Sequence, residues 1–473
     1  MTTWMENENW SGPSQLSIAE VQKTKAPNPA EFPETSQNSL SYWIKNFPIE
    51  FENEWINVQP PQTVDVAIIG SGITGASTAF NFSQRAPHLK VALFDARGLC
   101  TGATGRNGGL IGRPEAYDVR ALTANLGVEE AVRIRQFTRT NREMMLAAIE
   151  KLGCAEAIDL SLSGTIVVFH SQEEREAFIE DLRFSREHGL KTEGYVIDGD
   201  EVAMRIDMSP SMAKFGGACL DNCGTIYPRK FIAVLLKQAL DRMKHLTLHP
   251  YTPVWKVDYD ESNEISYTIT TSKGQVRART ILHATNGYAT HLVPALQNAD
   301  GVFGCSAHML GVQPNVAEPT PVMSYGLGYR ECFHWMLQRP NNGPFLYGLW
   351  KAERIGHYND TLTLDTNNGI REEMFSFLES AYPNKFRNLT SEKDVSYDWQ
   401  GVQGFTKSGA SIVGRPVPER RGEFVAVGFN GEGMGRCFAC ASVITDAILA
   451  ELKGDTDWQA PEWFPSSYKR NLP

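Results

Sequence analysis

The order of apolar and polar positions predicts buried strands that alternate with amphipathic helices along most of the chain. Residues 64–69 form a short β-branched run typical of a buried parallel strand, residues 76–85 continue as a helix, and residues 90–94 give a second strand. Apolar spacing predicts further helices over residues 129–152, 173–188, 229–243, 370–381 and 438–452, and further strands over residues 164–169, 266–271, 280–284, 345–349 and 423–427. This succession of elements indicates an α/β fold.

The two ends of the chain lack this pattern. Residues 1–59 are rich in Pro, Asn, Ser and Glu and contain one anchored-looking stretch, Ser41-Tyr42-Trp43-Ile44. We expect an extended arm on the surface, because polar and proline-rich segments rarely form a core. Residues 456–473 are expected to form a C-terminal tail.

Composition and charge narrow the classes of function. The chain has 473 residues, 42% of them hydrophobic, and a net charge of −10. This charge argues against a nucleic-acid partner, because phosphate binding needs a basic face. Apolar runs fall short of the ~20 residues that span a bilayer, and residues 1–12 are too polar and acidic for a secretory signal. We therefore expect a cytoplasmic protein with no membrane partner.

Eight cysteines are spread along the chain and are expected to be reduced thiols. Cys219 with Cys223, or Cys437 with Cys440, could be interpreted as half of a metal site. Four-ligand zinc sites, however, usually combine two close pairs in a small module, and the second pair lies in a helical pattern. We expect no metal site.

The segment Gly70-Ser71-Gly72-Ile73-Thr74-Gly75 is a GxGxxG motif between the first strand and the first helix. Gly70 allows the tight turn, Gly72 lets the backbone approach a pyrophosphate, and Gly75 permits close packing of helix on strand. The helix N-terminus offers unpaired N–H groups to the phosphates. Asp95, at the end of the second strand, can accept both ribose hydroxyls of an adenosine. The motif predicts a dinucleotide site but does not separate FAD from NAD.

A second glycine-rich loop follows at once. It reads Cys100-Thr101-Gly102-Ala103-Thr104-Gly105-Arg106-Asn107-Gly108-Gly109. Its Thr, Arg and Asn donors can wrap a second phosphate and reach a flavin ring, whereas an NAD domain would normally proceed into another helix. The loop therefore favours FAD, the alternative being a flexible surface loop.

With these motifs the chain resembles the FAD-dependent D-amino-acid oxidase superfamily, also called the glycine/sarcosine oxidase-like family. The likeness is strongest to its fungal and bacterial amine-oxidase branch, which includes γ-glutamylputrescine oxidase-like proteins. It covers residues 40–455, and its most specific mark is Ala103-Thr104-Gly105-Arg106-Asn107-Gly108-Gly109. Three later segments are similar to family segments that contact, in this order, adenine, the dinucleotide and the flavin pyrimidine edge. They are Thr252-Pro253-Val254, His283-Ala284-Thr285-Asn286-Gly287 and Phe429-Asn430-Gly431-Glu432-Gly433-Met434.

The resemblance implies a Rossmann-type FAD-binding lobe with a parallel sheet, formed by residues 60–130, 215–295 and 400–455. It also implies a substrate lobe with an antiparallel sheet, from residues 131–214 and 296–399. The residues implied to contact FAD are Gly70, Gly72, Ile73, Thr74, Gly75, Asp95, Ala96, Arg97, Thr104, Gly105, Arg106, Asn107, Gly108, Gly109, Leu110, Val254, Ala284, Thr285, Asn286, Gly431, Glu432, Gly433 and Met434.

The reaction implied by the resemblance passes a hydride from a carbon bearing an amine to flavin N5. The resulting imine hydrolyses, and the reduced flavin is often reoxidised by oxygen with release of hydrogen peroxide. A small-molecule amine and oxygen are therefore the expected partners.

The chain departs from this family at several positions. No cysteine lies near Gly401, where some members attach FAD, so we expect FAD to be bound non-covalently. Gly435 stands where a lysine binds the substrate carboxylate, which favours a bulky or carboxylate-free amine. Arg354 lies near the position at which the family has the lysine that promotes the oxygen reaction, and it keeps the positive charge. Ser306-Ala307-His308 replaces the usual Arg-Gly-Gln of the strand entering the roof, so an imidazole could face the substrate.

Four residues are catalytic candidates: His308, Arg354, Trp350 and Glu432. Each has a structural alternative, respectively a core histidine, an ion-pair partner, a packed aromatic and a solvated turn residue. Two other functions also stay open. One is a flavin dehydrogenase or demethylase that passes electrons to another acceptor, and the other is a non-catalytic FAD-binding protein that has kept the fold. Oligomeric state does not follow from the sequence.

Overall fold

The computed structural model describes residues 40–472 except 264, 299, 318–321, 331, 352–355, 357 and 359–367. Within this part the chain forms two β-sheets and a set of helices. The helices of eight residues or more are Ile73–Arg85, Val119–Leu126, Val128–Leu152, Gln172–Glu187, Gly199–Ile206, Pro228–Arg242, Asn368–Ala381 and Cys437–Lys453.

The first sheet has nine strands in the described residues and is parallel at its centre. Thr63–Ile69 pairs in parallel with Val91–Phe94 on one side and Gly274–His283 on the other. The order across the sheet is Lys469–Arg470, Ile412–Gly414, Glu423–Val427, Gly274–His283, Thr63–Ile69, Val91–Phe94 and Leu246–His249, with Val254–Tyr259 and Tyr267–Thr271 added as antiparallel strands. The carboxyl ends of the parallel strands meet at one edge, which is where open α/β sheets bind ligands.

The centre of this sheet is covered by helices. Ile73–Arg85 packs against both Pro228–Arg242 and Cys437–Lys453. Every residue of Val91–Phe94 is buried, which explains why the strand is continuously apolar in sequence.

The second sheet has eight strands in the described residues and is mainly antiparallel. Its order is Val395–Phe405, Phe303–Val312, Phe345–Leu349, His334–Gln338, Gly326–Tyr329, Thr165–Val168, Gly217–Leu220 and Tyr195–Ile197. Only Gly326–Tyr329 and Thr165–Val168 pair in parallel among these strands. The predicted fold class, a parallel Rossmann-type sheet with a second antiparallel sheet, is confirmed. Gly217–Leu220 and the whole of Val395–Phe405 belong to the second sheet, although residues 215–220 and 400–405 were expected in the FAD lobe.

The described parts of both ends of the chain pack more closely against the fold than their composition indicates. An extended surface arm was expected over residues 1–59, of which residues 1–39 lie outside the described residues. Within residues 40–59, Tyr42–Lys45 and Glu52–Trp55 are helical turns and Trp43 is fully buried. At the other end, Lys469–Arg470 pairs in parallel with Ile412–Gly414 at the edge of the first sheet.

One segment of the described chain, Gly433–Lys453, is long and apolar enough to cross a membrane by length and composition alone. Its most apolar window is 78% buried inside the fold. That burial is typical of a core helix, which passes the same test as a membrane span.

Candidate active site

A continuous cavity extends from the carboxyl edge of the first sheet to the facing strands of the second. Gly72 and Asn107 line it on the side of the first sheet, and Met309, Trp335 and Trp350 line it on the side of the second. The cavity therefore connects the predicted nucleotide motif with the predicted roof.

The glycine motif has the geometry that its three glycines require. Gly70 has a φ of +105°, and a Cβ there would lie 2.6 Å from the carbonyl oxygen of Ala284. A Cβ on Gly75 would lie 1.9 Å from the carbonyl oxygen of Gly70, so Gly75 is what lets the helix approach the strand. The N–H of Ile73 donates to Thr104 Oγ1 at 2.9 Å, which ties the helix start to the second glycine-rich loop. The remaining N–H groups of this first turn have no partner within the helix.

Asp95 holds the turn together from the end of the second strand. Its Oδ2 accepts from the Ser71 N–H at 3.0 Å and the Ser71 hydroxyl at 2.5 Å, and its Oδ1 accepts from the Arg97 N–H at 3.0 Å. The carboxylate also lines the cavity. Asp95, which was predicted to bind the ribose, therefore lies at the cavity and also organises the glycine turn.

The second glycine-rich loop is rigidly held. The Arg106 guanidinium donates to the carbonyl oxygens of Thr101 at 2.8 Å and Gln400 at 3.0 Å. The Asn107 side chain donates to the Thr104 carbonyl at 3.1 Å and accepts from the Gly109 N–H at 2.7 Å. A flexible surface loop, the alternative interpretation of this sequence, does not fit these contacts.

A cluster of three arginines surrounds Glu432 beside the C-terminal glycine turn. The Glu432 carboxylate lies 2.5 Å from Arg113 and 3.3 Å from Arg135, and it also pairs with Arg436. Burial alone would raise the pKa of Glu432, but the attraction of Arg436, Arg113 and Arg135 outweighs it and holds the pKa well below its usual range. Glu432 is therefore a fixed negative charge, unsuited to exchanging protons near neutral pH.

Arg135 is the least satisfied member of this cluster. Its side chain is 2% exposed and lines the cavity. Its Nε and Nη2 atoms have no hydrogen-bond partner among the described residues, and burial lowers its pKa. Such a group favours an anion or an acceptor atom in the cavity.

The roof of the cavity is aromatic and apolar. Trp335 packs so closely over the loop that a Cβ on Gly108 would lie 2.3 Å from its ring. Trp350 lies in an aromatic cluster with Phe333 at 5.5 Å and Phe405 at 6.1 Å between ring centroids, and its indole N–H donates to the Cys305 sulfur at 3.1 Å.

Most of the residues implied to contact FAD line this cavity. They are Gly70, Gly72, Ile73, Thr74, Asp95, Ala96, Arg97, Thr104, Arg106, Asn107, Gly108, Gly109, Leu110, Val254, Ala284, Thr285, Asn286, Gly431, Glu432, Gly433 and Met434. Gly75 and Gly105 are not among the lining residues. Gly75 packs against the strand, and a Cβ on Gly105 would lie 2.0 Å from the carbonyl oxygen of Cys100.

The four catalytic candidates differ in whether they line the cavity. Trp350 and Glu432 line the cavity. Arg354 lies outside the described residues. His308 does not reach the cavity, because its strand neighbours Ala307 and Met309 line it and side chains alternate along a strand. His308 instead lies 3.3 Å from Asp398 behind the roof, which corrects the expectation of an imidazole facing the substrate.

Sequence reasoning missed the arginines of the helix Val128–Leu152. Arg135 and Arg142 are buried on the same face of this helix as Ala131 and Met145, and both line the cavity. Charged residues seven positions apart on an apolar helix face are a signal that could have identified them.

The cavity fits FAD on its own chemistry. Five arginines and three carboxylates line it in the described chain, an excess of positive charge that suits a pyrophosphate. The hydroxyl of Thr285 is buried and has no partner among the described residues. Gly70, Gly72 and the helix start at Ile73 line the cavity, and a helix N-terminus favours phosphates. The adenosine half would meet Asp95, and the flavin half would meet the loop at Asn107.

Comparison with known proteins agrees with the fit of the cavity to FAD. The family described as FAD dependent oxidoreductase matches residues 65–447. A probable oxidoreductase, OrdL, from Rhizobium meliloti (strain 1021) is 30% identical over 398 residues, covering 82% of this chain and 83% of OrdL. The γ-glutamylputrescine oxidoreductase of Escherichia coli (strain K12) is 22% identical over 260 residues, covering 54% of this chain and 55% of that protein.

A solved structure shares the fold. The crystal structure of glycine oxidase from Geobacillus kaustophilus superimposes with a TM-score of 0.67 at 20% identity, covering 87% of this chain and all of that one. The family match and the fit of the cavity lead to the same conclusion. The chain belongs to the FAD dependent oxidoreductase family, the superfamily that its glycine-rich motifs resemble, and FAD is its cofactor.

Proposed function

We propose that this protein is an FAD-dependent amine oxidase. Bound FAD would supply the electron acceptor, taking a hydride at N5 from the carbon next to the amine nitrogen and passing the electrons to oxygen as hydrogen peroxide. The imine left by the substrate would hydrolyse to a carbonyl compound and a free amine or ammonia.

The observation that carries this proposal is the continuity of one cavity from the nucleotide motif to an aromatic roof. Trp335, Trp350 and Phe405 line the same cavity as Asn107 and Gly108. These apolar side chains would exclude water from the reacting carbon. They would also favour the neutral amine over the ammonium, because burying an unpaired charge is costly. Only the neutral amine has the lone pair that assists hydride loss.

The residue at the position of the expected carboxylate-binding lysine supports a substrate without a carboxylate. Gly435 stands there and has no side chain that could bind a carboxylate. The guanidinium groups of Arg113, Arg135 and Arg436 all pair with Glu432, which reduces the positive charge that they offer to a substrate. We therefore favour a bulky or carboxylate-free amine over a simple amino acid.

Anaerobic flavin bleaching tests the proposal. The purified holoprotein is mixed without oxygen with a panel of primary, secondary and tertiary amines, each paired with the amino acid that adds a carboxylate to the same carbon. We expect loss of the visible absorbance of the oxidised flavin with an amine and a weaker response with its amino-acid partner. A flavin that no member of the panel bleaches contradicts the proposal and favours a non-catalytic FAD-binding protein.

An oxygen electrode then identifies the electron acceptor. Peroxide formed in step with amine consumption supports an oxidase. Slow reoxidation in air with fast transfer to an artificial acceptor dye supports a dehydrogenase or demethylase.

We also infer a cytoplasmic location, because the eight cysteines are thiols and form no disulfide bond among the described residues.

A further inference from the structure

Four successive carbonyl groups of the second glycine-rich loop are bound by side-chain donors. The Thr104 carbonyl accepts from the Asn107 side chain at 3.1 Å, and the Gly105 carbonyl accepts from the Ser41 hydroxyl at 2.5 Å. The Arg106 carbonyl accepts from the Trp399 indole at 2.8 Å, and the Asn107 carbonyl accepts from the Trp43 indole at 2.7 Å. Two of these four donors come from the N-terminal segment.

That segment is itself firmly anchored. Ser41 and Trp43 are both fully buried. The Tyr227 hydroxyl donates to the Trp43 carbonyl at 2.9 Å, and the Arg339 guanidinium lies 5.2 Å from the centre of the Trp43 ring. The Trp43 indole N–H is therefore held in a fixed position, which makes it an effective donor to the loop.

The direction of these carbonyls determines which groups face the cavity. In a trans peptide the C=O and the following N–H point in opposite directions. The Asn107 carbonyl points to Trp43, so the Gly108 N–H points away from Trp43. Gly108 lines the cavity, and its N–H has no partner among the described residues. The loop thus presents a donor to the cavity because its carbonyl is held on the opposite side.

We propose that Ser41 and Trp43 are positioning residues of the FAD site. By binding the Asn107 carbonyl from behind, Trp43 fixes that peptide plane so that the Gly108 N–H, rather than a carbonyl oxygen, faces the electron-rich atoms of FAD. By binding the Gly105 carbonyl, Ser41 holds the turn that precedes it, in which the Arg106 N–H donates to the Ala103 carbonyl at 3.1 Å. Losing either donor leaves a buried carbonyl unpaired, and the peptide can then rotate toward a new partner and turn its oxygen into the cavity. This inference concerns FAD binding and does not depend on which amine is oxidised.

The test compares two tryptophan substitutions in the full-length protein. Trp43→Phe removes the donor while keeping an aromatic ring. Trp55→Phe is the matched control, since the Trp55 indole N–H is buried in the same N-terminal segment and has no partner among the described residues. FAD is removed, and its rebinding is followed by quenching of flavin fluorescence. We expect Trp43→Phe to bind FAD about tenfold more weakly and Trp55→Phe to bind it as the wild type does.

A stability measurement separates positioning from general damage. The urea midpoint of each apoprotein is recorded, and we expect both variants to be folded without urea. Trp43→Phe should lower the midpoint more than Trp55→Phe, because only Trp43→Phe leaves a buried carbonyl without its donor. Ser41→Ala is a second, smaller change and is expected to weaken FAD binding in the same direction. Wild-type FAD affinity in both Trp43→Phe and Ser41→Ala would overturn the proposal. An equal loss of affinity in Trp55→Phe would also overturn it. No amine is used, so failure of the amine-oxidase proposal would leave this result unchanged.

Discussion

The carboxylate of Glu432 lies 2.5 Å from the guanidinium of Arg113, a residue 319 positions earlier in the chain. This pair joins the C-terminal glycine turn to the segment that leaves the second glycine-rich loop. Arg135 and Arg436 bind the same carboxylate. Three guanidinium groups from three segments of the chain therefore depend on one carboxylate.

Glu432→Gln should destabilise the protein strongly. Removing one partner of a buried ion pair costs about 3–5 kcal/mol, and here three guanidinium groups lose their counter-charge. Urea unfolding followed by tryptophan fluorescence measures the difference. Glu129→Gln is the control, because Glu129 pairs with Arg133 but its side chain is 88% exposed, and exposed pairs contribute about 1 kcal/mol or less. Equal effects of the two substitutions would contradict the assignment.

The wild type and Glu432→Gln should also differ in how their free energy of unfolding depends on pH. The pKa of Glu432 is lowered in the folded protein, so its contribution to stability is fully present above the unfolded glutamate pKa of about 4.3. The contribution is lost as the pH falls below that value toward the folded pKa. The stability difference between wild type and Glu432→Gln should therefore be constant from about pH 7 to pH 5 and shrink below about pH 4. A difference that shrinks near neutral pH would show that Glu432 is not held as a charged group.

Gly75→Ala should disrupt the start of the nucleotide helix. The new Cβ would lie 1.9 Å from the Gly70 carbonyl oxygen, which is backbone and cannot move without opening the turn. We expect a loss of about 1–3 kcal/mol and weaker FAD binding, measured by urea unfolding and flavin titration. In Gly369→Ala, in the helix Asn368–Ala381, the new Cβ meets no described residue within 4 Å, so this substitution should be neutral or slightly stabilising.

His308 and Ala307 should respond differently to substitution because they face opposite sides of one strand. Ala307 lines the cavity, and Ala307→Leu should slow anaerobic flavin reduction by the best amine about tenfold or more by filling substrate space. His308→Gln should leave that rate within about twofold, since its contact is with Asp398 behind the roof. Rapid-mixing spectroscopy gives both rates. A large loss in His308→Gln with Ala307→Leu unaffected would reverse the orientation of the strand.

We expect FAD to be released chemically unchanged when the protein is denatured. Two cysteines line the cavity, Cys332 and Cys437, and burial raises the pKa of each thiol to about 12. The thiolate is the nucleophile that attaches a flavin, so neither residue is poised to do so. Acid precipitation should leave a colourless pellet and all of the FAD in the supernatant. A yellow pellet would demonstrate covalent attachment.

Local patterns predicted the elements well. The helix predicted over residues 129–152 is Val128–Leu152, and the strand predicted over residues 423–427 is Glu423–Val427. The glycine motif and loop were also predictable, because the spacing of their glycines along the chain is typical of nucleotide-binding turns. The contacts that restrict Gly70 and Gly108 come from Ala284 and Trp335, which are distant in sequence. The choice of FAD followed from the two motifs and the family resemblance.

Contacts between distant segments were not predictable in the same way. Whether His308 faces the cavity depends on the register of its strand, and a shift of one residue reverses every side chain. The partner of Arg135 is 297 positions away. Trp43 lies in a segment whose composition indicates an exposed arm, yet the residue is fully buried, because a single aromatic side chain can anchor a polar segment.

The distances in sequence between the contacts of this site have a consequence for biosynthesis. The Arg106 carbonyl is bound by Trp399, and the Met434 carbonyl is bound by the Asn141 side chain. A chain still emerging from the ribosome has the glycine motif and the first loop early, but it cannot complete these contacts until residues 399 and 434 have been translated. Stable loading of FAD should therefore follow translation, and chains truncated before residue 434 should accumulate without their cofactor.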